Sequence, residues 1–279
     1  MNIEVIALDL DGTALCADHL SFSPRLERAL LAAHRRGVAV LPVTGRQFPM
    51  LPPALRRGAE WEGLAVLCNG SEIRRLEDGR LLLAHYLERE VLLRLLAAAE
   101  DLSLPVELSA GGCLYLTAES LERERRIGDR LRFHLEVILR EHGRVEEDLA
   151  ELCRRAPEPF DKVNLPHVPE ERRRETEAAL DALPVSWAWS GPWSIEITHE
   201  EATKAQGMRE ACRLLGRDSG RTLAIGDSGN DITMLRAAGL GVAMGGAPAE
   251  VRAAADAVTA ANEEDGAALA IERYVLGTG

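Results

Sequence analysis

Apolar and polar positions alternate along this chain in two rhythms. Near its start, Ile3, Val5, Ile6, Ala7 and Leu8 form an apolar, partly β-branched run that stops at Asp11-Gly12, which predicts a short buried strand closed by a turn. Ser23 then offers an N-cap and Pro24 a first helical residue; Leu26, Leu30 and Ala33 recur at helical spacing, and Gly37 supplies a stop. The stretches "GVAVLPVTGR" and "GLAVLCNGSEI" read as two further buried strands, ending at Thr44-Gly45 and Asn69-Gly70. The last third resumes the rhythm. "SIEIT" reads as a strand, Lys204 to Leu215 as a helix, "RTLAIGD" as a strand, "NDITMLRAAG" as a helix, "GVAM" as a strand, "PAEVRAAA" as a helix and "DAVTA" as a strand, with a closing helix from about Asp265. Strands alternating with helices predict an α/β fold with a doubly wound parallel sheet, and such sheets bind ligands at the carboxyl ends of their strands.

The middle breaks this pattern. Long charged helical stretches such as "LERERRIGDRLRFHLEVILRE" stand among the strand candidates "LPVELS", "CLYLT", "FDKVNL" and "VSWAW". We therefore expect an α/β core made of residues 1–84 and 190–279, with an inserted α+β module over residues 85–189.

Composition narrows the classes of function. The 279 residues are 46% hydrophobic and 28% charged, ordinary for a globular protein, and no apolar run nears the ~20 residues of a membrane span. A net charge of −12 disfavours nucleic acid as a partner, because counterion release requires a basic surface. Arginine clusters such as Arg172-Arg173-Arg174 are interleaved with glutamates and read as solvated helix faces. Five dispersed cysteines without a CxxC pair, and a start without the features of a signal peptide, point to a reducing cytoplasm. No membrane partner is expected.

The chemistry lies at the ends of the predicted strands. Asp9 and Asp11 stand two apart, so an extended backbone turns both to one side, and two such charges call for a cation or a proton between them. Asp227 ends another predicted strand and Asp231 opens the next helix. Capping a turn and a helix would account for those two alone. Beside the first pair, they read as an oxygen-only set suited to Mg²⁺. Thr44 and Gly45 offer a hydroxyl and free amides, as a phosphate nest does. Of 33 basic residues only Lys162 and Lys204 are lysines, and Lys204 falls at a strand-to-helix junction. Lys162 reads either as a functional ammonium or as a surface residue of a strand.

In their order, "DLDGT", "VTGR", the lysine after "IEIT" and "GDSGNDITML" resemble the four motifs of the haloacid dehalogenase superfamily of phosphatases. "CNGSEI" and the tail "GVAM" through "EDG" are similar to its Cof-type subfamily, which carries an inserted cap on a Rossmann-like core. The resemblance spans residues 9–266. It implies that Asp9 is the nucleophile forming an aspartyl-phosphate and that Asp11 is the acid and then the base. It further implies Mg²⁺ on Asp9, the Asp11 carbonyl and Asp227, with Asp231 supporting the metal's waters. Thr44, Gly45, Lys204 and Asn230 would hold the phosphoryl group. To act as an acid Asp11 needs a raised pKa, which a nearby phosphate would promote. Arg46, Asn69 and Lys162 are candidate substrate contacts, with Tyr115, Asn164 and the "SWAWSGPW" segment as further cap candidates. The implied substrate is a small phosphorylated metabolite, sugar phosphates above all. Two departures concern packing: Ala205 follows the lysine where glycine is usual, and Ala14 stands where leucine is common.

Four other readings compete. A phosphotransferase or phosphomutase would use the same aspartyl-phosphate and exclude water. A DxD glycosyltransferase leaves Thr44, Lys204 and Asp231 unexplained. A dinucleotide-dependent dehydrogenase fails because "GLGVAMGG" does not fit GxGxxG. A binding module with a retired site conflicts with two intact aspartates in the first motif.

Overall fold

The computed structural model describes residues 2–56 and 63–278. The chain divides into two compact units, Met1–Ala84 with Ala202–Gly279 (the core unit) and His85–Glu201 (the inserted unit). The strands of the first stretch are β1 (Val5–Leu8), β2 (Ala39–Pro42), β3 (Leu64–Leu67), β4 (Glu72–Arg75) and β5 (Leu81–Ala84). The middle contributes β6 (Glu107–Ala110), β7 (Cys113–Thr117), β8 (Gly143–Glu146), β9 (Lys162–Leu165), β10 (Val185–Trp189) and β11 (Ile195–His199). The last stretch contributes β12 (Thr222–Gly226), β13 (Leu240–Ala243) and β14 (Ala257–Val258).

In the core unit five strands run parallel in the order β14-β13-β12-β1-β2. A parallel bridge from Val43 to Val66 ties β3 beside β2, and β3, β4 and β5 form an antiparallel ribbon. β1 shows why this sheet is doubly wound. All four of its residues are buried, and alternate ones face opposite layers. Ile6 and Leu8 pack with Leu26, Leu30 and Ala33 of helix Pro24–Arg35 and with Ala267, Ala270 and Ile271 near the end of the chain. Val5 and Ala7 pack with Met208 and Ala211 of helix Lys204–Leu214 and with Met234. Burying each of these Ile, Leu or Val side chains contributes about 1.5–3 kcal/mol. Ser23 caps its helix as expected, its hydroxyl accepting from Leu26 N at 3.1 Å. Because β1, β2 and β12 are parallel, the residues after each of them (Asp9, Thr44 and Asp227) collect at one edge of the sheet.

The inserted unit holds a six-stranded sheet in the order β10-β11-β9-β6-β7-β8, antiparallel except for the β7–β8 pair. "SIEIT", assigned above to the core, is β11 of this sheet. It pairs with β10 (Trp187 opposite Ile197) and with β9 (Val163 opposite Ile197). The division of the chain accordingly falls after Glu201 and not after Trp189. The long charged stretch is interrupted as well. Helix Ala118–Ile127 stops at Gly128, whose φ is +73°, and the chain returns through helical turns to β8, a strand that its sequence did not announce.

Candidate active site

Three carboxylates and one ammonium meet at the carboxyl edge of the parallel sheet. Asp9 follows β1 and Asp227 follows β12, and both are held where the backbone leaves the sheet. Lys204 is the first residue of helix Lys204–Leu214, whose N-cap Thr203 accepts from Gln206 N at 3.1 Å. From there its side chain is fully enclosed, with Nζ 2.6 Å from Asp9 Oδ1 and 2.7 Å from Asp231 Oδ1. The other oxygen of Asp231 accepts from the amides of Asp227 and Ser228, both at 3.0 Å. Asp231 therefore serves at once as the cap of a helical turn and as a charged member of the cluster. One oxygen each of Asp9, Asp227 and Asp231 lies within 4.8 Å of the other two.

The electrostatics follow from burial. Burial pushes the Asp9 carboxyl well up; the Lys204 ammonium opposes that push, and Asp231 and Asp227 reinforce it. Burial and Asp231 raise Asp227 to about 6, although Thr13 Oγ1 donates to it at 2.7 Å. For Lys204, burial works to lower the ammonium, but Asp231 and Asp9 outweigh it and hold it well above its ordinary range. With all three carboxylates ionised, one ammonium leaves two negative charges, which a dication would balance. The donors are all oxygens, so the set fits a hard ion of the Mg²⁺ kind, with Asp9 and Asp227 the carboxylates best placed to hold it.

Asp11 is arranged differently. Its carboxylate receives Arg46 Nε at 2.7 Å and Arg46 Nη2 at 2.6 Å, a bidentate grip, and lies 2.9 Å from His19 Nδ1. Burial works to raise this carboxyl, but the hydrogen bonds from Arg46 and His19 outweigh it and hold it well below the usual range. The raised pKa expected for Asp11 is thus absent from the chain by itself. Arg46, expected as a substrate contact, is occupied with Asp11, His19 O and Met50 O. Gly12 makes this turn possible: its φ is +80°, and a Cβ there would stand 2.5 Å from Asp227 Oδ2.

The remaining candidates form the rim. Thr44 is buried, and its hydroxyl oxygen accepts from Arg46 N at 3.2 Å, with Gly45 between them. Asn69 N donates to Thr44 O at 3.0 Å, tying the loops after β2 and β3 together. Asn230 Nδ2 donates to Asn69 Oδ1 at 3.3 Å. Lys162 belongs to the inserted unit, where it is buried and ion-paired with Glu196. Asn164 bonds Glu107 at 3.0 Å, and Tyr115, Trp187 and Trp189 pack against the inserted unit's own apolar core. Trp189 lies under the Arg173 guanidinium at 3.9 Å and is a packing residue. Sequence reasoning gave no role to Thr13 or His19. Thr13 stands inside the "DLDGT" motif, whereas no local signal marked His19, which reaches Asp11 from a loop residue with φ +57°.

Comparison with known proteins agrees with this geometry. The haloacid dehalogenase-like hydrolase family matches residues 6–271. Phosphatase YwpJ of Bacillus subtilis (strain 168) is 30% identical, over 95% of this chain and 98% of its own length. The 5-amino-6-(5-phospho-D-ribitylamino)uracil phosphatase YcsE of the same organism is also 30% identical, over 99% of this chain and 97% of its own. Among solved structures, a haloacid dehalogenase-like hydrolase from B. subtilis superimposes with a TM-score of 0.83 at 27% identity, covering 98% of this chain and all of its own.

Proposed function

This chain belongs to the haloacid dehalogenase-like hydrolases, as a phosphoric monoester hydrolase of the Cof-type kind its motifs resemble, and we propose that it is a Mg²⁺-dependent phosphatase of small phosphorylated metabolites working through an aspartyl-phosphate on Asp9. The observation that carries this reading is Lys204, bridging Asp9 and Asp231 inside a buried carboxylate cluster at the carboxyl edge of a parallel sheet. A phosphodianion approaching three carboxylates meets repulsion, and the Lys204 ammonium is a protein charge set against it there. A bound Mg²⁺, held by Asp9 and Asp227, would supply further charge neutralisation and orient the phosphoryl group.

In the proposed reaction an Asp9 oxygen bonds to phosphorus while the bond from phosphorus to the leaving oxygen breaks. Asp11 gives its proton to that oxygen. Water then attacks phosphorus, its proton passes to Asp11, and the Asp9 carboxylate is released with inorganic phosphate. Lys204 holds Asp9 in position, and Thr44, Gly45 and Asn230 bind the phosphoryl oxygens. Arg46 grips Asp11 in the substrate-free chain. The anionic substrate competes for that guanidinium, which makes Arg46 a substrate contact and frees Asp11 to carry a proton. A sugar-like phosphate is the favoured substrate class; the name of YcsE, which specifies a phosphoribityl compound, supports it. The five cysteines, none of them in a disulfide, support a cytoplasmic setting.

Phosphate release from a panel of phosphorylated metabolites, with Mg²⁺, with chelator and for Asp9→Asn, tests the reading. Release that requires the metal and is lost in Asp9→Asn is the expected result. Release persisting in Asp9→Asn removes the aspartyl-phosphate, and transfer of phosphate to a second hydroxyl in preference to water makes the enzyme a phosphotransferase.

A further inference from the structure

Away from the site just described, the described residues hold a second largely buried set of groups with metal-ligand chemistry, Glu107, Glu124 and His134, one donor atom of each within 4.8 Å of the others. All three lie in the inserted unit. Glu107 is on β6, whose alternate residues Leu108 and Ala110 pack in the unit's apolar core, so Glu107 projects from the other face of the sheet. Helix Ala118–Ile127 brings Glu124, its buried side carrying Ser120 and Glu124 one turn apart. His134 opens the helical segment that follows, with Nε2 2.5 Å from Glu107 Oε1 and 3.9 Å from Glu124 Oε2.

Glu124 is the group this arrangement leaves unexplained. Its side chain is 0% exposed, and among the described residues neither carboxylate oxygen has a hydrogen-bond partner. A buried carboxylate without a hydrogen-bond partner is costly, and here it has only the His134 ring at 3.9 Å and faces a second buried carboxylate. Glu107 has its own partners in His134 and in Asn164 Nδ2, 3.0 Å away. The adjacent cation, Lys162, is paired with Glu196. Glu107 is thus matched by the His134 imidazole, whereas Glu124 has, among the described residues, no cation within hydrogen-bond distance.

We propose that Glu107, Glu124 and His134 form a second metal site, which binds a transition-metal dication of the Zn²⁺ class through one imidazole nitrogen and two carboxylates. The imidazole turns selection away from Mg²⁺, which prefers oxygen alone, toward an ion that accepts nitrogen and oxygen together. Three protein ligands leave a fourth position for water, and His134, 23% exposed, gives that position a route to solvent. The ion joins a strand, a helix and a following segment, and so fixes this side of the inserted sheet. It is independent of the reaction assigned to the core unit.

A proton on Glu124, shared with Glu107, is the rival account of the same geometry, and one experiment separates the two. The full chain, with excess Mg²⁺ saturating the oxygen-only site, is dialysed against micromolar Zn²⁺, and bound metal is counted for the parent, Glu124→Gln and His134→Gln. The expected result is one Zn²⁺ retained per chain. Each variant should lose affinity by at least about 10-fold, the smaller loss found when even an outer partner of a metal site is removed. The half-exposed thiols Cys16 and Cys113 remain in both variants, so zinc held there stays constant in the comparison. Should Glu124→Gln unfold, Co²⁺ in the parent gives a second measurement: visible absorption with nitrogen-ligand character, quenched by one equivalent of Zn²⁺. Parent protein that retains no Zn²⁺ overturns the proposal in favour of the proton, and equal retention by parent and folded variants overturns it as well.

Discussion

At the scale of single residues, Lys204 shows how sequence, packing and chemistry meet. Its ammonium bridges Asp9 and Asp231, and all three side chains are enclosed. Removing one partner of such a buried set leaves the others uncompensated, a loss of about 3–5 kcal/mol. Lys204→Met keeps the aliphatic volume and deletes the charge. On the proposed reading it should lower kcat by about 10²–10³ and lower the free energy of urea unfolding by about 3–5 kcal/mol. A variant as stable as its parent would mean that the Lys204 ion pairs do not hold this cluster together. Asp9, Thr44, Lys204, Asp227 and Asp231 were legible in the sequence because each stands where a strand pattern ends or a helix pattern begins. The clamp of Arg46 on Asp11 was not, because it joins residues 35 apart that no local pattern connects. Its effect on Asp11 is to hold the carboxyl low in the chain by itself, so the rise expected for a catalytic acid rests on the arriving phosphate.

Whole elements were read less evenly than residues. The alternation in "SIEIT" announced a strand correctly, with Ile195 and Ile197 buried and Glu196 on the other side. Alternation records which face is buried and says nothing about which strand lies alongside, and the true neighbours, β9 and β10, belong to the insertion. Helix Lys204–Leu214 shows the converse, a packing requirement hidden in one small residue. A Cβ on Gly207 would stand 2.4 Å from Val66 Cγ1, so the glycine is what lets the helix carrying Lys204 lie against β3. Gly207→Ala gains about 1 kcal/mol of helix propensity and meets an overpacking cost of about 1–3 kcal/mol. The clash should win, giving a net loss in urea unfolding that Val66→Ala reverses in the double variant. If the double variant is no more stable than Gly207→Ala alone, close approach is not what that glycine provides.

For the molecule as a whole, the two-unit division was visible as a break in the strand–helix rhythm, and its first boundary after Ala84 coincides with the sequence reading. The second was displaced by one strand, because β11 is continuous in sequence with the core helix that follows it. Charge is the property that acts at this scale. The chain carries −12 overall, and any salt screens that repulsion and adds stability without binding anywhere. Mg²⁺ binding at Asp9 and Asp227, as proposed, would do something else, because an ion that binds only the folded state stabilises it by about 2.7 kcal/mol at 100 times its dissociation constant. At about 2–4 °C per kcal/mol, this corresponds to a rise of roughly 5–10 °C in the melting of the core unit. Sodium chloride at matched ionic strength measures the general screening part, and the excess with MgCl₂ measures the site. That excess should vanish in Asp227→Asn, which leaves overall charge almost unchanged but removes a carboxylate from the cluster. Equal shifts from the two salts, or an excess that survives Asp227→Asn, would assign the effect to the −12 field and take the metal away from this edge of the sheet.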